Sequence, residues 1–235
     1  MFKTKIKRNG GFVVKNTIFG RIGEFLCPYS CISCGKVGGL LCNCCKKYII
    51  SKKEWKCLCC GGNLESDICE RCKMPFLRQF CLGERQELLK DLIYVFKYQS
   101  VRCCAVVFAN LFFDVYGDFL RGKVIIPLPT INKHIRERGF DHTDKLAKML
   151  AWRCGGKCKK LLIRCNNAVQ VGTDAETRKK QAESAYRAAE GVNSDTEYVL
   201  IDDVWTTGSS MMAACEVMQK AGARKISVVI IAKSR

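Results

Sequence analysis

Beyond about residue 84 the chain alternates between two hydrophobic rhythms. In Glu84–Gln99, Leu88, Leu89, Leu92, Ile93 and Phe96 fall on one helical face, and Val101–Leu120 reads as a second, more apolar helix. Further helical stretches, Asp141–Arg153 and Ser209–Ala221, are interleaved with short apolar runs at Lys123–Pro129, Lys160–Arg164, Glu197–Val204 and Lys225–Ala232. Apolar runs without polar alternation suit strands buried on both faces. Such strands, alternating with helices, predict a parallel sheet covered on both sides, an α/β fold. Ligands of such sheets sit beyond the carboxyl ends of the strands.

The first third of the chain has neither rhythm; its order lies in its cysteines. Four Cys-x-x-Cys pairs follow one another: Cys31/Cys34, Cys42/Cys45, Cys57/Cys60 and Cys69/Cys72. One such turn aims two sulfurs at a metal, and two turns complete a tetrahedron, so four turns supply two S₄ sites for zinc. Gly35 and Gly61 directly follow a second cysteine, where the turn needs a residue tolerant of positive φ. The spacing assigns Cys31, Cys34, Cys42 and Cys45 to one Zn²⁺ and Cys57, Cys60, Cys69 and Cys72 to the other. A cross-braced pairing, an iron–sulfur cluster and a single filled site stay open. Cys27, Cys44 and Cys59 are alternative ligands, and the later, scattered cysteines suit small buried hydrophobes. The division expected is a basic segment 1–26, a double zinc ribbon 27–80 and an α/β domain 81–235.

At 235 residues with 48% hydrophobic side chains and 4 prolines, the composition excludes a disordered, collagenous or low-complexity chain. Charge adds more, because 40 basic residues face 22 acidic ones and the formal balance is +18. Residues 1–80 hold 15 basic and 5 acidic side chains. Thiolates around two zincs would remove about four charges, and the surplus that remains suits nucleic acid, anionic lipid or solubility alike. The longest apolar window, Cys103–Phe113, is shorter than the roughly 18 residues of a membrane span. The start, MFKTKIKRNGGFVV, has a basic region but only Phe12, Val13 and Val14 as an apolar core, which argues against export. A cytoplasmic setting is expected, and in a reducing compartment cysteines serve as metal ligands rather than disulfides.

Tyr198–Ser210, YVLIDDVWTTGSS, is the most informative stretch. An apolar strand ends in Asp202 and Asp203, and Thr206-Thr207-Gly208-Ser209 turns into the helix that carries Ser210. Gly208 lets backbone N–H groups approach a phosphate, the hydroxyls add donors, and the helix start favours an anion. The two acids are placed to accept hydrogen bonds from vicinal sugar hydroxyls. No GxxxxGK[ST] or GxGxxG occurs, so nucleoside triphosphate and dinucleotide binding have no support.

This stretch resembles the phosphoribosyl-pyrophosphate (PRPP) motif of type I phosphoribosyltransferases. From Phe25 to Ala232 the order of features resembles the ComF (ComFC) family, which joins a double zinc ribbon to a phosphoribosyltransferase-fold domain and is linked to competence for DNA uptake. The residues carrying the likeness are Phe25-Leu26-Cys27-Pro28, Cys31-x-x-Cys34-Gly35, Lys97-Tyr98, Ile126-Pro127-Leu128-Pro129, Arg138-Gly139-Phe140, Leu162-Ile163-Arg164, Gln170 and Arg178. Asp141-His142 stands where the family has Asn-Gln, and Gln181 where it has Asn.

The resemblance implies PRPP and Mg²⁺ at Asp202, Asp203, Thr206, Thr207, Gly208, Ser209 and Ser210, with an unidentified acceptor. Single-stranded DNA and a competence helicase or other uptake protein are the partners it implies. Asp202 and Asp203 would then serve catalysis, with Arg138, and Arg136 beside it, meeting the departing pyrophosphate. Arg164 and Arg178 flank Cys165–Glu176, which reads as a loop able to exclude water. His134 and His142 are candidate general bases or plain satisfied polar groups, and Trp205 is either a stacking surface or a lid on the core. Lys46, Lys47, Lys52, Lys53 and Lys56, with Tyr48 and Trp55 among them, suit single-stranded nucleic acid or a solvated loop equally.

Overall fold

A computed structural model describes residues 30–53, 55–98, 103–165 and 185–234. The basic N-terminal segment, Phe25 to Pro28, Gln170, Arg178, Gln181 and most of the Cys165–Glu176 loop lie outside the described residues.

After one helix in the Cys-rich part, α1 (Asn43–Ser51), come β1 (Arg78–Cys81), α2 (Glu87–Tyr98) and α3 (Cys103–Leu120). Next are β2 (Val124–Pro127), α4 (Asn132–Arg138), α5 (His142–Arg153), β3 (Lys157–Cys158) and β4 (Leu162–Arg164). The chain closes with β5 (Tyr186–Ala188), β6 (Glu197–Trp205), α6 (Ser209–Lys220) and β7 (Lys225–Lys233). Five strands form one sheet in the order β1-β7-β6-β2-β3, parallel at every junction.

The uninterrupted apolar runs of β6 and β7 are explained by this placement. Val199, Ile201, Val229 and Ile231 enter a core with α2, α3 and α5, whereas Tyr198, Leu200, Val228 and Ile230 enter a second core with α6. Each central strand is therefore buried on both faces. Strand order reverses between β2 and β6, since the chain steps outward from β2 to β3 and, later, from β6 to β7 in the opposite direction. A crevice opens at the carboxyl ends of strands where the order reverses, and Asp202 and Asp203 lie at that end of β6.

Lys160–Arg164 was expected in the parallel sheet, but β4 pairs antiparallel with β5 as a separate ribbon, Arg164 opposite Tyr186. The reason is one-sidedness: Leu162 is buried while Ile163 is exposed, so the segment covers one face only. The parallel sheet gains β1 and the two-residue β3 instead; β1 has no sequence signal beyond Phe80 and Cys81.

The apolar window beginning at Cys103 is also longer than Cys103–Phe113. α3 spans 18 residues with a mean hydropathy of 1.5, long and apolar enough to cross a membrane by length and composition. Its apolarity is used inside the protein, for Phe108, Leu111, Phe112 and Leu120 are fully buried and the helix packs along α5.

Candidate functional site

Each Cys-x-x-Cys knuckle is set by the same local hydrogen bonds. The amide of Gly35 donates to the Cys31 carbonyl and that of Cys31 to the Lys36 carbonyl; Gly61, Cys57 and Gly62 repeat the pattern. Gly35 and Gly61 have φ of 74° and 71°, the left-handed region their positions demand. The amides of Cys42 and Cys59 donate to the sulfurs of Cys31 and Cys57, both at 3.4 Å.

The sulfurs fall into two groups, Cys31/Cys34/Cys42/Cys45 and Cys57/Cys60/Cys69/Cys72, each within 4.8 Å of one another. This is the sequential pairing, not the cross-braced one. Neighbouring sulfurs stand 3.6 to 3.9 Å apart. Bonds of about 2.3 Å to a tetrahedral Zn²⁺ place sulfurs about 3.8 Å apart, so both clusters could hold zinc, with four ligands each and no open position for catalysis. Cys44 and Cys59 are exposed and outside the clusters; Cys104, Cys154 and Cys215 are buried in the body as expected, while Cys165 is exposed.

The second candidate centre lies at the carboxyl end of β6. Asp203 is buried, and its Oδ2 accepts from Lys97 Nζ at 2.7 Å and makes a short hydrogen bond with His142 Nε2. Burial alone would raise the Asp203 pKa, yet the His142 hydrogen bond and the Lys97 charge hold it at about 2. His142 Nδ1 is 3.2 Å from Arg138 Nη1. A guanidinium can only donate, so Nδ1 accepts and the ring proton is on Nε2, toward Asp203. His142 is thus a satisfied, buried polar group in this arrangement. Arg138 also lies over the Tyr98 ring, 5.3 Å from its centroid.

Asp202 differs in environment. It is half-buried, and its Oδ1 accepts from the Asp203 amide at 2.8 Å. Desolvation, then the neighbouring Asp203 charge, raise its pKa to about 7. Adjacent carboxylates are thereby driven apart, the pattern by which sites set different roles for like groups. An acid whose folded pKa is raised contributes most below its unfolded value and loses that contribution as pH rises through about 7. Asp202→Asn should therefore raise the melting temperature by several degrees at pH 8, with the gain shrinking toward pH 4. Thermal melts across that range check it; an equal gain at both ends would contradict the assignment.

The turn after β6 is shaped by Trp205. Gly208 has φ of 80° and forms the N-cap of α6; a Cβ there would be driven into the Trp205 indole. Trp205 is buried against Phe76, so it is a lid on the core and not a stacking surface. Thr207 Oγ1 and Ser209 Oγ are 2.9 Å apart and, like Thr206 and Ser210, exposed around the helix start. On the far side, β5 brings Tyr186 against Ser210, whose hydroxyl it meets, and near Asp202. Arg164 Nη1 donates to the Tyr186 hydroxyl at 3.0 Å.

Around the carboxyl end of β6, contacts link Asp203 to Lys97 and through His142 to Arg138, and Ser210 through Tyr186 to Arg164. Arg136 is exposed on α4, and His134 meets Glu137 on the same helix, 3.2 Å away. Sequence reasoning missed the anchoring role of Lys97 and His142 and the presence of Tyr186. Two departures from the ComF-like pattern, Asp141 and His142, have local explanations. Asp141 is the N-cap of α5, accepting from the Asp144 amide, a role Asp and Asn share; His142 supplies the Asp203 hydrogen bond.

The five lysines of the Cys-rich part are not equally available. Lys46 pairs with Asp114, Lys56 lies 3.8 Å from Glu84, and Lys53 sits 3.1 Å from the Trp55 ring centroid and 4.3 Å from that of Tyr116. Desolvation lowers the Lys53 pKa to about 8. Lys47 and Lys52 are exposed, Lys52 with its Nζ 5.8 Å from the Tyr48 ring centroid.

No protein-family profile matches the chain. Competence protein F of Haemophilus influenzae is 26% identical over 209 residues, covering 83% of this chain and 90% of that protein. The chain is thus similar to that protein along most of both lengths, in keeping with the ComF likeness of its motifs. Among solved structures, an allosteric regulatory enzyme of purine biosynthesis aligns with 58% of this chain at 18% identity and a TM-score of 0.39. This chain spans 29% of that enzyme's length.

Proposed function

We propose that this protein binds PRPP with Mg²⁺ in the crevice at the end of β6 and transfers the phosphoribosyl group to an acceptor, serving DNA uptake in the cytoplasm. The observation that carries this reading is the joining, at the carboxyl end of β6, of a strand buried on both faces, an acidic pair with opposed environments, and a glycine-capped helix start. The competence setting rests on the similarity to Competence protein F.

In this reading the α6 N-terminus and the hydroxyls of Thr206, Thr207, Ser209 and Ser210 receive the 5′-phosphate. Asp202, which no cation contacts directly in the structure described, takes the ribose hydroxyls. Asp203 is a positioning residue: fixed by Lys97 and His142, it orients the strand end and its charge lies beside the sugar. Mg²⁺ would be held by PRPP oxygens and Asp202 and would neutralise leaving-group charge. The C1–O bond to pyrophosphate breaks with the electron pair leaving on pyrophosphate, and the acceptor bonds to C1 and gives up a proton. Arg138 stands next to the acid network as a cation for the pyrophosphate. Acceptor-dependent pyrophosphate release, assayed across nucleobases, amines and single-stranded DNA, tests transfer.

A second reading keeps PRPP as a ligand without turnover and makes single-stranded DNA the partner. The basic balance of the Cys-rich part supports it, but with three of five lysines engaged internally the electrostatic footprint shrinks. Affinity for a single strand falls with salt by roughly 0.7 log units per neutralised phosphate on a log–log plot. Lys47→Gln with Lys52→Gln should therefore shallow that slope by about 1.4, and adding Lys46, Lys53 and Lys56 should change little more. A slope reduced by several units in the fivefold variant alone would show that the internal pairs open on DNA.

A further inference from the structure

We infer that the protein has a second ligand site, for a nucleotide, in the cavity between the Cys-rich module and the sheet. The cavity encloses about 510 Å³, within the range of small-molecule sites and large enough for a base with its sugar phosphate. It lies beyond the carboxyl ends of β1 and β7, beside rather than within the Asp202 crevice. α1 and the knuckle around Leu58 and Gly61 wall it on one side, and the β1–α2 junction on the other.

The lining matches one chemistry best. Its floor is aliphatic, with Leu58, Leu82 and Leu89 all buried, which suits the faces of a flat ring. Lys52, Lys56 and Lys233 stand around the cavity; Lys56 lies 3.8 Å from Glu84 and Lys233 donates to the Cys57 carbonyl at 3.0 Å, so exposed Lys52 is the cation best placed to meet a phosphate. Gln86 and Glu87 offer a donor and acceptors to the edge of a base. The Glu87 carboxylate is fixed, accepting from Tyr48 Oη at 2.7 Å across the cavity wall. A free divalent ion would meet too many ammonium groups here, and a sugar would meet too much leucine.

Glu87 supplies an independent sign. With φ of 41° it is the one non-glycine residue in the left-handed region among the described residues. Backbone strain of this kind persists where surrounding structure enforces it and concentrates at ligand clamps. Here it holds a carboxylate at the wall of this cavity.

The test is calorimetric titration of the zinc-loaded full chain with dAMP, with adenine and inorganic phosphate as separate probes. One dAMP per chain is expected, bound at least roughly tenfold more tightly than either fragment. Leu89→Trp, which fills the cavity, and Lys52→Glu, an exposed change that leaves the core intact, should each weaken dAMP at least roughly tenfold. Asp202→Asn with Asp203→Asn should leave dAMP binding unchanged, which separates this site from the PRPP reading. Absence of saturable binding overturns the inference, as does binding insensitive to Lys52→Glu or abolished by the aspartate changes. A single-stranded decamer that displaces dAMP would identify the nucleotide as part of a strand; a decamer that does not would identify a free mononucleotide.

Discussion

Titration with PRPP and Mg²⁺ should give no binding heat after Asp202→Asn combined with Asp203→Asn, and Asp202→Asn alone should remove most of it. The inequality follows from the network. Asp203 already satisfies Lys97 and His142, whereas among the described residues Asp202 accepts only a backbone amide. Asp202→Asn replaces a carboxylate with an isosteric amide that still accepts that bond, so the loss falls on the ligand and not on the fold. Asp203→Asn leaves the Lys97 ammonium facing a neutral group in a buried site, a change of the kind that costs about 3–5 kcal/mol in stability. The two single variants should therefore separate: lost binding with a sound fold for Asp202, lowered stability for Asp203. Calorimetry with parallel thermal melts reads both, and an unchanged PRPP affinity in the double variant would sink the assignment.

Metal removal should have the other large effect. Strong chelation, or Cys57→Ser with Cys60→Ser, should unfold residues 31–72 over the affected cluster, because metal binding of about 10 kcal/mol or more supplies the folding energy of such modules. The α/β body should keep its sheet but lose stability, since Ile49 and Leu58 of the module are buried in its two cores. Hydrogen exchange localises the loss, and elemental analysis should find two zincs per chain. Iron, or fewer than one zinc, would contradict the two-site assignment, and protected amides at 31–72 after chelation would place the folding energy elsewhere.

Much of this was legible in the chain because it was local. Cys-x-x-Cys spacing, the glycine after each second cysteine, and a strand ending in two acids before Thr-Thr-Gly are read within a dozen residues. The carboxyl-end crevice followed from strands alternating with helices. What was hidden is non-local. Nothing near Lys97 announces that it will meet Asp203, roughly a hundred residues later, although its place in the ComF-like Lys97-Tyr98 pair marked the position. His142 carried a weak signal for the same reason, as a lone histidine at a departure from the family pattern. Tyr186 reaches the crevice only because β4 leaves the main sheet to pair with β5, and a three-residue strand with one buried side chain does not reveal its partner.

The parallel pairing of β1 with β7 also bears on the order of assembly. Arg78 sits opposite Ser227, so a strand made in the first third of translation waits roughly 150 residues for its neighbour. At a ribosomal rate of about 5–20 residues per second, β1 spends on the order of ten seconds without a mate, and contacts of such long range are slow to close. A nascent chain that loads its cysteine clusters early would hold the segment just before β1 in a compact, metal-clamped body during that interval. The ribbon would then act as a temporary guard for an unpaired strand, and zinc supply during synthesis would decide the yield of correctly closed sheet.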